Sequence, residues 1–354
     1  MEEREYWFWL QKAFPMEAGK ALELVKLLGS PEAVFRETEL PISPARAQAA
    51  EAAKAGLAEE LKALETREKE GIRWCCLTDE TYPKRLRSIP DPPLGLFYRG
   101  KLPPEDKPSV SIVGARSCSA YGRGMAEYFG AELAKDGVSI VSGMAMGIDG
   151  HAQGAALRAG GASFAVLGCG ADIAYPALNR GLYERLTEQG GVISEYLPGT
   201  PPLPVHFPYR NRIISGLSDL LLVLEAREKS GSLITVDQAL EQGREVMALP
   251  GRVGDALSEG CNRLIRQGAG LLSCLGDVYE ALGMENPREV REEEKTPLSE
   301  KEQRILALLS TTPTHRERLL QEGGLSFGEL ALTLLSLEER GLVRPVTTDQ
   351  YVRR

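Results

Sequence analysis

Apolar and polar positions change rhythm along this chain. Over residues 1–70 the apolar positions recur at helical spacing, in 5-EYWFWLQKAF-14, 16-MEAGKALELVKLLG-29 and 44-PARAQAAEAAKAGLAEELKALETREKEG-71. Gly29-Ser30-Pro31 stops one helix and starts the next. The spacing predicts a small all-helical domain. Residues 71–108 lose this period. They hold the proline-rich strip 81-TYPKRLRSIPDPPLGLFYRGKLPPEDKP-108, which reads as a connecting extension. From Val110 short apolar runs alternate with helical stretches. The runs are 110-VSIVG, 138-VSIVSG, 163-SFAVLG, 191-GVISEY, 219-DLLLVLEA, 245-EVMALPG and 270-GLLS, and the intervening helices include 122–137, 177–190 and 232–243. Such alternation implies βαβ units with right-handed crossovers. Residues 109–283 therefore read as a Rossmann-like, doubly wound parallel sheet, an α/β fold. Residues 284–297 are charged, without apolar period, and read as a linker. Residues 298–354 give helices, a turn at Gly323-Gly324, a helix from about Ser326 and a strand pair at LVRPV and YVRR, the order of a winged helix.

Composition narrows the function classes. With 43% hydrophobic and 26% charged residues the chain is of the globular kind. No apolar run approaches a bilayer span and the first residues carry acids rather than a basic leader, so a cytoplasmic location without a membrane span is expected. Six cysteines without a CxxC pair, and three histidines without ligand spacing, argue against a disulfide framework or a metal site. The net charge of −8 requires any nucleic-acid surface to be local.

Ligands of open parallel sheets sit beyond the carboxyl ends of the strands. Here those ends read GARSCSAYG (114–122), SGMAMGID (142–149), GCGAD (168–172), SEY (194–196), EAREKSGS (225–232) and PGRVGD (250–255). Glycine lets backbone N–H groups approach an anion, and serine adds donors. The sharpest element is 230-SGSLIT-235, a strand-to-helix turn that aims unpaired N–H groups outward; a plain N-cap by Ser230 or Ser232 is its structural alternative. GARSCSAYG is not GxGxxG, which counts against a dinucleotide, and no cofactor is expected. The stretch 206-HFPYRNRIISG-216 opens as a proline-bounded aromatic loop. Of Arg210 and Arg212, one is expected to tie this loop to Glu225 or Asp219 and the other to face phosphate. Arg116 has the same choice, with Asp149 or Glu195 as an internal partner. Tyr175 and Phe207 can offer an aromatic face to a base.

These segments, with VSGMAMGIDGHA, LGCGADIAYPALN, FPYRNRIISGLSDLLLVLEAREKSGSLIT and GCNRLIRQGA, resemble the DprA/Smf family of DNA-processing proteins over about residues 75–283. The flanks resemble the sterile-alpha-motif-like N-terminus and winged-helix C-terminus that some members carry. The resemblance implies a non-enzymatic protein that binds and protects incoming single-stranded DNA during natural transformation. It also implies a homodimer that loads the RecA recombinase and copes with single-strand-binding protein. The expected DNA contacts are Arg116, Ser142, Gly143, Tyr175, Arg180, Phe207, Arg210, Asn211, Arg212, Lys229, Ser230, Gly231 and Ser232. Gln153 stands where members often have His, and Ala177 where they commonly have Lys, a loss Arg180 could make good. An alternative from another class is a nucleotide phosphoribohydrolase of the lysine-decarboxylase-like type, with Asp237 after SGSLIT as its carboxylate. A third reading gives DNA binding to the winged helix alone; its helix SFGELALTLLSLEERG carries acids but only Arg340 as a base.

Overall fold

The computed structural model describes residues 1–286, 298–310, 312–347 and 349–353. They form two compact units, Met1–Asn286 and Pro287–Arg354. Most of the expected linker, residues 287–297, lies outside the described residues.

The first unit begins with helices α1 (Glu3–Ala13), α2 (Ala18–Leu28), α3 (Pro31–Arg36), α4 (Pro44–Lys54) and α5 (Leu57–Lys69). The single helix expected over 44–71 is broken because Gly56 takes φ +75°, a left-handed conformation that glycine adopts without strain. The connecting extension is also more than a connection. It supplies β1 (Ile72–Cys76), the short α6 (Lys84–Arg87) and β2 (Gly95–Gly100). Trp7, Phe8, Trp9 and Leu10 of α1 share one core with Ile72, Cys76, Leu94 and Phe97. A cut at residue 75 would therefore split β1 and open this core.

The remaining strands fall where the apolar runs are: β3 (Ser109–Val113), β4 (Ser139–Ser142), β5 (Ser163–Leu167), β6 (Gly191–Ser194), β7 (Leu220–Val223), β8 (Glu245–Ala248) and β9 (Gly270–Leu271). They alternate with α7 (Ala120–Lys135), α8 (Ile148–Arg158), α9 (Arg180–Gln189), α10 (His206–Gly216), α11 (Ser232–Glu241), α12 (Glu259–Arg266) and α13 (Leu275–Ala281). The sheet order is β1-β2-β6-β5-β4-β3-β7-β8-β9. Pairings from β6 through β9 are parallel, and β1 and β2 add antiparallel at one edge. Alternate residues serve opposite faces, as a pleated strand requires. Val110 and Ile112 pack with α7 and α8 residues Phe129, Leu133 and Ala152, whereas Val113 packs with Ile213 and Ile214 of α10. The sheet is thus covered on both faces, the doubly wound arrangement expected.

The second unit carries α14 (Glu300–Leu308), β10 (Thr314–His315), α15 (Arg316–Gly323), α16 (Phe327–Glu339), β11 (Val343–Thr347) and β12 (Gln350–Arg353), with the sheet ordered β10-β12-β11. Ser299 with Glu302 and Ser326 with Glu329 form capping boxes that set the starts of α14 and α16. Ile305, Leu319, Leu330, Leu334 and Val343 make its core. This is a winged-helix domain. Among the described residues no helix is long and apolar enough to cross a membrane.

Candidate nucleic-acid interface

The chain runs from β3 outward through β4, β5 and β6, then returns to the other side of β3 for β7 and β8. The direction of winding reverses between β3 and β7, and that reversal parts the loops above it. An open cleft of about 600 Å³ lies there. Its walls are Gly114–Ser117 after β3, Arg227 and Lys229–Ser232 after β7, and Phe207, Arg210 and Asn211 from α10. Ala145, Asp149, Tyr175, Thr235 and Leu257 complete much of the lining.

Two helix N-termini point toward this region, and they differ in what fills them. At α7 the Glu225 carboxylate accepts from Ser119 N–H at 2.9 Å and also from the Ser119 hydroxyl. It sits so close that a Cβ on Gly122 would lie 2.3 Å from it. The anion position that a dinucleotide pyrophosphate takes after the first strand of such folds is filled from within. At α11 the Ser230 and Ser232 hydroxyls bond each other at 2.8 Å, Ser230 Oγ also accepts from Ser232 N–H at 3.4 Å, and the turn opens into the cleft.

Residues 206–216 form α10 rather than a loop. Pro208 is its third residue, where the missing N–H costs nothing because the first helical N–H groups have no intrahelical partner. Two residues apart on a helix is about 200°, so Arg210 and Arg212 leave on opposite sides. Arg212 donates to Glu195 at 2.9 and 2.6 Å and to Asp91 Oδ2 at 3.0 Å, and its guanidinium lies 3.9 Å from the Tyr209 ring centroid. Burial alone would lower the Arg212 guanidinium, but Glu195, Tyr209 and Asp91 outweigh it and hold it above its usual range. The partners expected from sequence are engaged elsewhere: Asp219 receives Arg85 at 2.9 and 3.0 Å, and Glu225 caps α7. Arg212 is a structural tie and does not line the cleft.

Arg210 does line it. Its Nη1 donates to Gly143 O at 3.2 Å and to Val166 O, while its buried Nε has no partner. Burial pushes the guanidinium down to about 10 against the pull of Asp149, and pushes the Asp149 carboxyl up against the pull of Arg210. The internal carboxylate compensates this cation only in part, so an anion in the cleft would find it underused.

Arg116 is exposed, makes no ion pair with a described residue, and sits 5.7 Å from the Phe207 ring centroid. Arg210 lies 5.9 Å from the same ring, and Tyr175 faces it at 5.5 Å with a 34° tilt. The ring is held in place because Gly168 has no side chain; a Cβ there would come within 2.8 Å of Phe207.

Of the sequence candidates, Arg116, Tyr175, Phe207, Arg210, Asn211, Lys229, Ser230, Gly231 and Ser232 meet in the cleft. Ser142 and Gly143 do not. The Ser142 hydroxyl is buried and donates to Ile112 O at 2.6 Å, and the Gly143 N–H donates to Asp149 at 3.1 Å. Arg180 is exposed at the start of α9, outside the lining. Gln153 is buried and braces the β4 loop, accepting from Met144 N–H at 3.0 Å and donating to Phe164 O at 3.0 Å. Sequence reasoning missed Arg227, Ser117 and Thr235 as lining residues, although Arg227 and Ser117 stand inside the strand-end stretches EAREKSGS and GARSCSAYG. Asp237 does not line the cleft.

A family model described as DNA recombination-mediator protein A matches residues 73–283, and one described as the DprA winged helix domain matches residues 289–347. The chain is 46% identical to the DNA processing protein DprA of Streptococcus pneumoniae, over 57% of this chain and 71% of that one. It is 34% identical to the protein Smf of Synechocystis, over 82% of each. The solved structure of the pneumococcal protein matches with a TM-score of 0.66 at 36% identity, covering 79% of this chain and 98% of that one. A solved Helicobacter pylori DNA processing protein A, described by its single-stranded DNA binding mode, matches with a TM-score of 0.54 at 30% identity over 59% and 95%. With these matches spanning both of its units, the chain belongs to the DprA/Smf family of DNA-processing, recombination-mediator proteins.

Proposed function

We infer that the cleft binds single-stranded DNA. One observation carries the reading. In the strand-end loops and the helix starts next to them, most carboxylates are engaged by the chain itself: Asp149 by Gly143 N–H and Arg210, Asp172 by Gly199 N–H, Glu195 by Arg212, Glu225 by Ser119, Glu228 by Arg263 and Asp255 by Leu257 N–H, with Glu259 at the start of α12 left exposed. The cations Arg116, Arg180, Arg227, Lys229 and Arg252 are exposed and make no ion pair with a described residue. An acidic chain of net charge −8 thus presents a local excess of open positive charge around a cleft. Phosphates on these cations and on the α11 turn would position a strand without reading its sequence. A base turned onto Tyr175 and Phe207 would select single strands, since paired bases offer no face. Full-length protein is expected to bind an oligonucleotide at least tenfold more tightly as a single strand than as a duplex. Removal of the second unit, leaving residues 1–286, should preserve that preference. Loss of binding on that truncation would move the site to the winged helix, whose α16 exposes Phe327, Leu332 and Leu335 rather than a row of bases.

The wider reading rests on family membership and on the similarity to the Helicobacter protein, which binds single-stranded DNA. In it the chain is a non-catalytic cytoplasmic mediator that protects incoming strands during natural transformation, contends with single-strand-binding protein and loads RecA. A non-catalytic character fits the lining, in which Asp149 is the one carboxylate among the described residues and already accepts from Gly143 N–H. The hydrolase reading needs a carboxylate in the cleft, and Asp237 lies outside the lining.

A homodimer is part of the same proposal, and the apolar run 264-LIRQGAGLL-272 contains the last strand of the sheet. Leu264 of the 264-LIRQGAGLL-272 run is buried in the core beside Val246 and Ala248. Leu271, on the two-residue edge strand β9, is 51% exposed. An exposed strand edge invites pairing with a second copy. Leu271→Glu is expected to halve the mass found by light scattering while leaving the melting temperature unchanged; an unaltered mass would take this edge out of the interface.

A further inference from the structure

The cleft is the middle of a longer edge. Because of the strand order, the loops after β5, β4, β3, β7 and β8 stand side by side along the carboxyl ends of the sheet. At about 4.8 Å between neighbouring strands, five loops extend over roughly 19 Å. That length matches about five or six phosphates at the ~3.4 Å spacing of a stacked strand. Side-chain character changes along it. Over β5 and β4 the large exposed apolar groups are Tyr175 at 42%, Leu178 at 80% and Met146 at 46%, with Asp172 and Arg180 at the ends of the β5 loop. These two loops are tied into one shelf by Asn179, whose Nδ2 donates to Met144 O at 2.9 Å and to Ala145 O at 3.2 Å. Over β7 and β8 the exposed cations are Arg227, Lys229 and Arg252, with Glu228 and Asp255 also exposed.

Arg252 stands outside the cleft lining, in a turn that the fold holds firmly. Asp255 N–H donates to Arg252 O at 3.2 Å, and Gly254 has φ +83°, the pattern of a turn that needs glycine at its third position. Val253 at the tip is fully exposed. The base of the turn is clamped by Asn262, which accepts from Gly251 N–H at 3.1 Å and donates to Gly251 O at 3.0 Å. Ala226 N–H donates to Leu257 O and Gly260 N–H to Ala226 O, each at 2.8 Å, which locks the turn to the β7 loop that carries Lys229. Of the acids nearby, Glu228 pairs with Arg263 at 3.6 Å and Asp255 accepts from Leu257 N–H at 3.1 Å, while Glu259 at the start of α12 is exposed.

We propose that the 252–255 turn is a second phosphate site, which takes the strand as it leaves the cleft. One protomer then holds a single strand across the whole sheet edge, with bases on the Tyr175, Leu178 and Met146 shelf and phosphates on Lys229 and Arg252. The proposal rests on the cleft reading and adds a direction and a length to it. A rigid turn loses little freedom on binding, so its contact is favourable out of proportion to its small area.

The test compares full-length wild-type protein with Arg252→Gln on dT4 and dT10, by competition for a labelled oligonucleotide over a salt series. Wild type should bind dT10 at least tenfold more tightly than dT4. Arg252→Gln should match wild type on dT4, lose five- to tenfold on dT10, and show a salt slope shallower by about 0.7 on dT10 alone. Its melting temperature should be unchanged, because the side chain is exposed and unpaired. Equal affinity for dT10 in the two proteins, or an equal loss on both lengths, overturns the second site while leaving the cleft standing. Failure of wild type to bind either oligonucleotide overturns the cleft reading, and this proposal with it.

Discussion

Arg212→Ala is expected to cost the fold about 3–5 kcal/mol, the range for breaking a buried ion pair from one side. Arg212 is 4% exposed and Glu195 is 8% exposed. Removing the arginine would strand the Glu195 carboxylate in a nearly buried site, and would release Asp91 and its carbonyl, which accepts from Nε at 2.9 Å. That tie joins α10 to the loop after β6 and to the proline-rich segment before β2. The melting temperature should fall by roughly 10 °C, given about 2–4 °C per kcal/mol for a large domain. Arg212→Lys should recover only part of this, because a point charge cannot make the forked contact to Glu195 and hold Asp91 as well. DNA binding by the fraction that stays folded should keep its wild-type salt slope, since no phosphate contact has been removed. A variant with wild-type stability and weakened binding would instead make Arg212 a contact residue.

The division between Arg210 and Arg212 marks how far sequence reasoning reaches here. That one arginine would be structural and the other would face the ligand follows from the cost of burying two guanidinium groups. Which is which depends on α10. Had residues 206–216 been read as a helix, the 200° between positions two apart would already have sent the two side chains to different neighbours. Pro208 hid the helix, because proline signals a loop everywhere except in a first turn. The partners themselves were beyond reach. Glu195 is 17 residues away and Asp91 is 121 residues away, brought together only by the sheet order. Strands β3 to β9 were legible because each is a bounded apolar run. β1 and β2 were not: Pro90, Pro92, Pro93, Pro103 and Pro104 flank β2 and made it read as a connection, and β1, an edge strand, pairs only with it. Ser142 failed for a subtler reason. It lies at a strand end as expected, but its side chain turns into the sheet, and a polar residue there is satisfied by a neighbouring carbonyl. The residues on loops after β3 and β7 meet in the cleft because topology alone brings such strand ends together in an open α/β sheet.

Arg116→Ala should show the opposite pattern to Arg212→Ala. Its guanidinium is exposed and has no internal carboxylate, so truncation removes only a cation–π contact with Phe207, about 0.5–1 kcal/mol at an exposed site. The melting temperature should move by no more than a few degrees. Affinity for single strands should fall about tenfold at moderate salt, and by the same factor for oligo-dT, oligo-dC and mixed sequences, because a phosphate contact carries no base information. The slope of log K against log salt should become shallower by about 0.7, the release expected from one phosphate on a single strand. Arg210→Ala sits between the two. It removes an underused cation from the cleft and leaves Asp149 buried without a counter-charge, so both stability and slope should change. An unchanged slope in Arg116→Ala together with an unchanged slope in Arg210→Ala would mean that no phosphate reaches the reversal point of the sheet. The exposed cations after β7 and β8 would then be left without the cleft that organises them, and the winged helix would become the first place to look for DNA.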